Sequence, residues 1–259
     1  MKYFFGLKKT IPFLFVLLLF SCKPRKEMVY YQNIDSLASQ EKSNSYEIKI
    51  QPDDLLTIVV SAEDAEASVP FNLGASSTGG EATGQGAAPS YLVDAAGTID
   101  FPVLGKLKVA GLTRSGVLEL LEGKIGQYLK KPIVNLRLIN FKFSVQGEVT
   151  TPGTFPVNSD RITLIEAISR AGDLTVYGKR DNILVIREMN GVKTFNRVDI
   201  TKADFINSPF YYLAQNDVIY VEPSKVKING AAVGANTGVI ISITSLVITL
   251  VTLMVTLTK

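Results

Sequence analysis

Alternating apolar and polar positions fill the middle of the chain, and one long apolar run closes it. Tyr46 to Val60 (YEIKIQPDDLLTIVV) alternates, turns at Pro52-Asp53-Asp54 and resumes as a strand with Leu56, Ile58 and Val60 on one face. Tyr91 to Thr113 reads as short strands with turns at Ala96-Gly97, Pro102, Gly105 and Gly111. Thr113 to Leu129 places apolar residues at 117, 118, 121, 125 and 129, the spacing of an amphipathic helix. Pro132 ends it, and Ile133 to Ile139 alternates again as a strand. A second unit follows the same logic: a strand over Phe141 to Val149, a turn at Thr151 to Thr154, and a capped helix opening at Thr163-Leu-Ile-Glu166 and stopping at Gly172. Asn182 to Glu188 and Val192 to Val198 flank Asn190-Gly191, a strong hairpin signal, and Asp217 to Val221 supplies a last strand.

Two internal echoes point to a duplicated plan. Gly105-Lys-Leu-Lys-Val-Ala-Gly111 parallels Gly147-Glu-Val-Thr-Thr-Pro-Gly153, and Asp54-Leu-Leu-Thr-Ile-Val parallels Asp217-Val-Ile-Tyr-Val. Between the units and the ends the pattern dissolves. Residues 22–45 are polar and read as a tether, residues 68–90 are dense in Gly, Ala, Ser and Thr and read as a flexible insertion, and residues 224–237 read as a linker. The pattern predicts an α+β chain of two small mixed domains, 46–140 and 141–223, followed by a C-terminal transmembrane amphipathic helix over 238–258.

That helix contains Val239 to Leu257, 19 residues without charge, Gly or Pro. At about 1.5 Å per residue it reaches close to the ~30 Å hydrocarbon core of a bilayer. At ~100° per residue, Ser242, Ser245, Thr249, Thr252 and Thr256 fall in an arc of roughly 80°, joined by Gly238, while Thr244 lies off it. Such a stripe suits pore lining, with lipid outside and a shared axis inside. It equally suits a single anchor whose hydroxyls bond back to the i−4 carbonyl, or a small-residue packing face. A β-strand ranks last, because the polar positions follow spacings of 3 and 4.

The other end also addresses a membrane. Residues 1–21 join a basic start (Lys2, Lys8, Lys9) to an apolar run too short to span, which is a secretory signal. Leu19-Phe20-Ser21-Cys22 resembles a bacterial lipobox, with Phe20 where a small residue is often found, and it makes Cys22 the expected lipidation site. The alternative is a plain signal with a chance cysteine. Cys22 is the single cysteine of the sequence, so an intramolecular disulfide is excluded. Removing the signal takes three lysines and no acid, leaving 24 residues of each sign. No basic field then argues for nucleic acid.

Catalytic chemistry is poorly supplied. The sequence has no His and no Trp, which removes Ser-His-Asp, Cys-His and histidine-zinc constellations. Asp53-Asp54 and Glu63-Asp64 are adjacent carboxylates, which on a strand or turn point apart and read as solvated charge more than as a hydrolase pair or Ca²⁺ site. The Gly79 to Gly86 run lacks the Gly-Lys-Ser/Thr ending of a phosphate loop. Tyr211-Tyr212 suits core or interface packing more than sugar stacking. No enzyme activity, cofactor or metal is expected.

The segments QPDDLLTIVV, YLVDAAGTIDFPVLGKLKVAGLT, FSVQGEVTTPGTF with TLIEAISRAG, and LAQNDVIYVEP, in that order, resemble the outer-membrane polysaccharide export family of Wza-like lipoproteins. Tyr46 to Leu138 resembles its polysaccharide export domain, and Phe141 to Pro223 its soluble-ligand-binding β-grasp (SLBB) domain. Asp53 stands where the family's Pro-Gly-Asp turn has Gly. The resemblance implies a homo-oligomeric periplasmic ring whose C-terminal helices cross the outer membrane, with capsular or exopolysaccharide as substrate and an inner-membrane polysaccharide co-polymerase as partner. It implies a lipid-anchored outer-membrane location and tips the stripe toward pore lining. The competing function is a membrane-tethered β-grasp ligand-binding lipoprotein without a pore.

Overall fold

The computed structural model of the chain describes residues 28–36, 46–74, 89–189, 191–233 and 237–258. In the first domain β1 (Leu55–Ser61) lies between β2 (Tyr91–Leu92) and β5 (Ile133–Leu138), antiparallel to both. The register sets Leu56, Ile58 and Val60 opposite Leu138, Leu136 and Val134, so the alternation of both strands meets on one face. A hairpin of β3 (Thr98–Phe101) and β4 (Gly105–Lys108) adds Ile99, Phe101 and Leu107 to the same core.

After α1 (Ala65–Ser68), the longer α2 (Arg114–Ile125) covers this face. Thr113 caps α2 by accepting the Gly116 N–H, and Val117, Leu121 and Ile125 are buried. Burying each such side chain stabilises the fold by about 1.5–3 kcal/mol.

The second domain is a five-stranded sheet in the order β7-β6-β10-β8-β9. These strands are β6 (Lys142–Gly147), β7 (Gly153–Pro156), β8 (Gly178–Met189), β9 (Val192–Val198) and β10 (Val218–Pro223). The central β6–β10 pair is parallel and the others antiparallel. α3 (Leu164–Arg170) carries the full expected capping box between Thr163 and Glu166, and buries Leu164, Ala167 and Ile168. At Gly147, φ is +90° and a Cβ would lie 2.1 Å from the Val221 carbonyl oxygen, so only glycine fits where β6 ends against β10. The β8–β9 hairpin forms as the Asn190-Gly191 signal predicts, although Asn190 itself lies outside the described residues.

The two echoes part company. The Asp54 and Asp217 segments share one turn: each carboxylate accepts the N–H three residues back, from Gln51 and Ala214, at 2.8 Å. The preceding residues, Asp53 (φ 69°) and Asn216 (φ 63°), both hold the left-handed conformation. Asp53 therefore occupies the backbone state that glycine adopts most freely. The glycine echo is not a repeat, because Gly105 opens a hairpin strand whereas Gly147 closes one.

Three stretches read as unstructured contain ordered segments. The 22–45 tether has residues 28–36 docked on the second domain, as described below. The 68–90 insertion begins with a 3-10 helix, Val69–Phe71, whose Phe71 is buried. Asn72 then clips it to β1, exchanging hydrogen bonds of 2.9 Å with the backbone of Val60, while residues 75–88 lie outside the described residues. The 224–237 linker is largely helix, α4 (Lys225–Val233), in which Lys225, Lys227, Ala231 and Ala232 are good helix formers and no proline intervenes.

The domains share a seam. Ile48 belongs to the second core and Ile50 to the first, so one short segment is stitched into both. Asn140 accepts the Leu55 N–H and donates to the Asp53 carbonyl, each at 2.9 Å, while its own carbonyl accepts from Gln215 at 2.9 Å.

Candidate functional site

The C-terminal helix α5 (Thr237–Leu257) is 21 residues, close to the expected 238–258. At about 1.5 Å per residue it spans roughly 32 Å. Every residue from Gly238 to Thr258 is exposed, including Leu246 at 63% and Met254 at 74%. Exposing that many contiguous apolar side chains to water is unfavourable, so the helix is built for a medium or partner that covers it.

Ser242, Ser245, Thr249, Thr252 and Thr256 all lie on this helix, and every hydroxyl donates to its own backbone. Ser242 reaches Gly238 O at 2.7 Å, Ser245 reaches Ser242 O at 2.9 Å and Thr249 reaches Ser245 O at 2.7 Å. Thr252 bonds Ile248 O, and Thr256 bonds Leu253 O at 2.8 Å. Thr244, off the stripe, bonds Ile240 O at 2.7 Å. The hydrogens are therefore satisfied without a partner, and what the stripe offers outward is oxygen lone pairs. Cys22, the expected lipidation site, lies outside the described residues.

Upstream, residues 28–36 grip the second domain. The Tyr30 hydroxyl donates to Asp173 Oδ1 at 2.6 Å, with the Arg180 guanidinium over its ring. The Gln32 N–H reaches Thr201 O at 2.8 Å, Asn33 donates to Asp204 Oδ2 at 2.8 Å and accepts the Ala203 N–H at 2.6 Å, and Tyr31 packs on Phe205. Burial, with the neighbouring Asp173, pushes the Tyr30 hydroxyl well above the ordinary tyrosine range.

The loop from Asp173 to Tyr177 also holds the start of the C-terminal helices. Ser224 N–H bonds Tyr177 O at 2.7 Å, Thr175 donates to Glu148 Oε2 at 2.8 Å, and Lys227 of α4 pairs with Glu148. Hydrogen bonds from Lys227 and Thr175 hold the Glu148 carboxyl below the usual carboxylate range, against opposing desolvation. The segment following Cys22 and the segment leading to α5 thus meet on one loop. Residue spacing did not reveal this, although the Met28-Val-Tyr-Tyr31 cluster in an otherwise polar tether was its available signal.

A cavity of about 300 Å³ opens at the seam between the domains, lined by Tyr46, Arg114, Arg137, Asn158 and Arg161 among others. Tyr46 stacks on Tyr212 at 5.1 Å, and Arg161 lies over the other residue of that stack at 5.3 Å from the Tyr212 ring centre. Tyr211-Tyr212 is packed as expected, with Tyr211 against the second core. Among the described residues no group of three or more acidic, His or Cys side chains is placed to hold a metal ion.

The polysaccharide biosynthesis/export protein family model matches residues 42–139, and the SLBB domain model matches residues 141–221. The chain carries a polysaccharide export domain followed by an SLBB domain. Its two matched regions meet at the Asn140 seam, in the order expected from the sequence. Similar export-family proteins include the EPS I polysaccharide export outer membrane protein EpsA of Ralstonia solanacearum, 30% identical over 80% of this chain and 56% of that protein. The EpsA of Ralstonia nicotianae is 32% identical over 59% of this chain and 42% of its own length. The capsule polysaccharide export outer membrane protein CtrA of Neisseria meningitidis serogroup A is 26% identical over 57% and 38%. The chain thus spans about half the length of these relatives. The family description and the names of these relatives all refer to polysaccharide export.

Proposed function

We propose that this chain is an outer-membrane lipoprotein that assembles into a homo-oligomeric conduit for export of capsular or exopolysaccharide. The observation that carries the reading is α5: a 21-residue helix, exposed on every side, attached to a body made of two export-family domains. In the assembly the aliphatic faces meet lipid and the Ser/Thr stripe meets a hydrated axis. Hydroxyl oxygens whose hydrogens are already bonded to the helix accept hydrogen bonds from water and sugar without presenting charge, so a glycan passes without being held tightly.

The meeting of both ends on the Asp173–Tyr177 loop supports an orientation in which the second domain faces the membrane. Cys22 precedes Met28 by six positions. At about 3.3–3.6 Å per residue they reach roughly 20 Å, so an acyl chain on Cys22 inserts beside that domain. An inner-membrane polysaccharide co-polymerase would then meet the first domain from the opposite side.

The self-bonded hydroxyls favour one second reading, a membrane-tethered β-grasp binding protein in which α5 is a plain anchor. Mass photometry of detergent-extracted protein separates the two. The conduit requires a ring several times the mass of one chain, and a stable monomer sinks it.

A further inference from the structure

The seam cavity has the composition of a ligand site and no part in the membrane helix. Its floor is apolar, from Leu136 and Phe141, and its rim is cationic. Arg114 is anchored through Nε to Leu136 O at 3.0 Å and stands 4.0 Å from Asp160. Arg137 and Arg161 are exposed, and among the described residues neither has a carboxylate within ion-pair distance, although both border the same opening. The cavity's own Glu47 is occupied, accepting from the Ser115 hydroxyl at 2.8 Å and its N–H at 3.2 Å.

Unpaired guanidinium forks above an apolar floor with a fixed aromatic ring match one chemistry. A planar carboxylate fits the forks in two-pronged fashion, a ring's C–H face fits Tyr46 and the aliphatic floor, and hydroxyls meet the Asn158 amide. Phosphate satisfies the forks but leaves the floor unused. A neutral sugar uses the floor but leaves the arginines unanswered. The volume, about 300 Å³, lies at the small end of ordinary ligand pockets and restricts the occupant to a short segment.

We infer that the cleft between the two domains binds an acidic saccharide, held by Arg137 and Arg161 through its carboxylate and by Tyr46 through its ring. Because Ile48 and Ile50 tie one wall to both cores, an occupant bridges the two domains and stiffens the angle between them. The inference rests on the export reading only for the source of the sugar.

The test uses the full-length chain in detergent, titrated by calorimetry with trigalacturonate, maltotriose and inorganic phosphate. Trigalacturonate binds, and Arg137→Ala and Arg161→Ala each weaken it about 10-fold, the loss expected for one charge-assisted contact. Arg197→Ala, which removes an arginine paired with Glu222 on the second-domain sheet, leaves it unchanged. Both cleft arginines are exposed, and unchanged melting temperatures show that the variants fold. Equal binding of maltotriose, equal binding of phosphate, no binding of trigalacturonate at millimolar concentration, or binding indifferent to both arginines each overturns the assignment. Export by cells carrying Arg137→Ala is scored separately: a working conduit with no acidic-sugar binding rejects the cleft alone, and a monomeric protein that binds rejects the conduit alone.

Discussion

The Tyr30 hydroxyl donates a 2.6 Å hydrogen bond to Asp173, and that bond fastens the segment following the expected lipid site to the loop that also holds Ser224, at the start of the C-terminal helices. Tyr30→Phe removes it and is expected to loosen the segment by about 1 kcal/mol, since one net hydrogen bond is lost while the ring packing stays. Amide exchange at Gln32, whose N–H bonds Thr201 O, reports this directly. Exchange there should quicken about fivefold with the rest of the domain unchanged. Because Tyr30 titrates above its ordinary range, its contribution is complete below pH ~10 and is lost as pH rises beyond it. Unaltered Gln32 protection argues against the clasp.

Arg187 and Asp217 form the buried ionic centre of the second domain. The guanidinium donates to both carboxylate oxygens, at 2.6 Å for the shortest, and to the carbonyls of Pro209 and Tyr212. Arg187→Ala leaves a buried carboxylate without its partner and is expected to cost about 3–5 kcal/mol in urea unfolding. Arg187→Met with Asp217→Asn removes both charges, so the double variant should lose less than the sum of the single losses. Additive losses would show that the two groups do not act as a pair.

Asp54 repeats the turn of Asp217 without an arginine. Its Oδ2 accepts the Gln51 N–H, its Oδ1 is buried with no hydrogen-bond partner among the described residues, and burial raises the carboxyl to about 6. A carboxyl whose folded value lies above its unfolded value, ~3.9, binds more protons folded than unfolded between those limits. Stability from this group therefore falls as pH rises from about 4 to 6 and is level above. Asp54→Asn cannot titrate, so its melting temperature should gain on that of the wild type across this interval. A constant difference from pH 4 to 7 would remove Asp54 as the source.

Much of the fold was legible because its signals are local. Alternation placed Leu56, Ile58 and Val60 inward, the 117, 121, 125 spacing buried one side of α2, and Thr163 with Glu166 announced α3. The shared turn at Asp54 and Asp217 was legible as a sequence echo, but the glycine echo was not a repeat, since two glycines of positive φ serve opposite ends of strands. The docking of residues 28–36 is not legible in a polar tether, because their partners lie far along the chain, as Asp173 does from Tyr30, and polar composition says nothing about such pairings. The cleft escaped for a similar reason: Tyr46, Arg137 and Arg161 come from three separate stretches that only the domain seam brings together. The Ser/Thr stripe was visible as a pattern, and the helix added that its hydroxyl hydrogens are already engaged.

The central claim is that a glycan passes along the hydroxyl stripe. Single cysteines at Ser245, Thr249 and Thr252, and at Val247 and Leu250 on other faces, are introduced into cells displaying the polymer, and a bulky membrane-impermeant thiol reagent is added. The account predicts that the three stripe positions react and that surface polysaccharide stops appearing, while cells with cysteine at 247 or 250 continue to export. Export that continues with all three stripe cysteines modified, or equal protection of both sets, would contradict it.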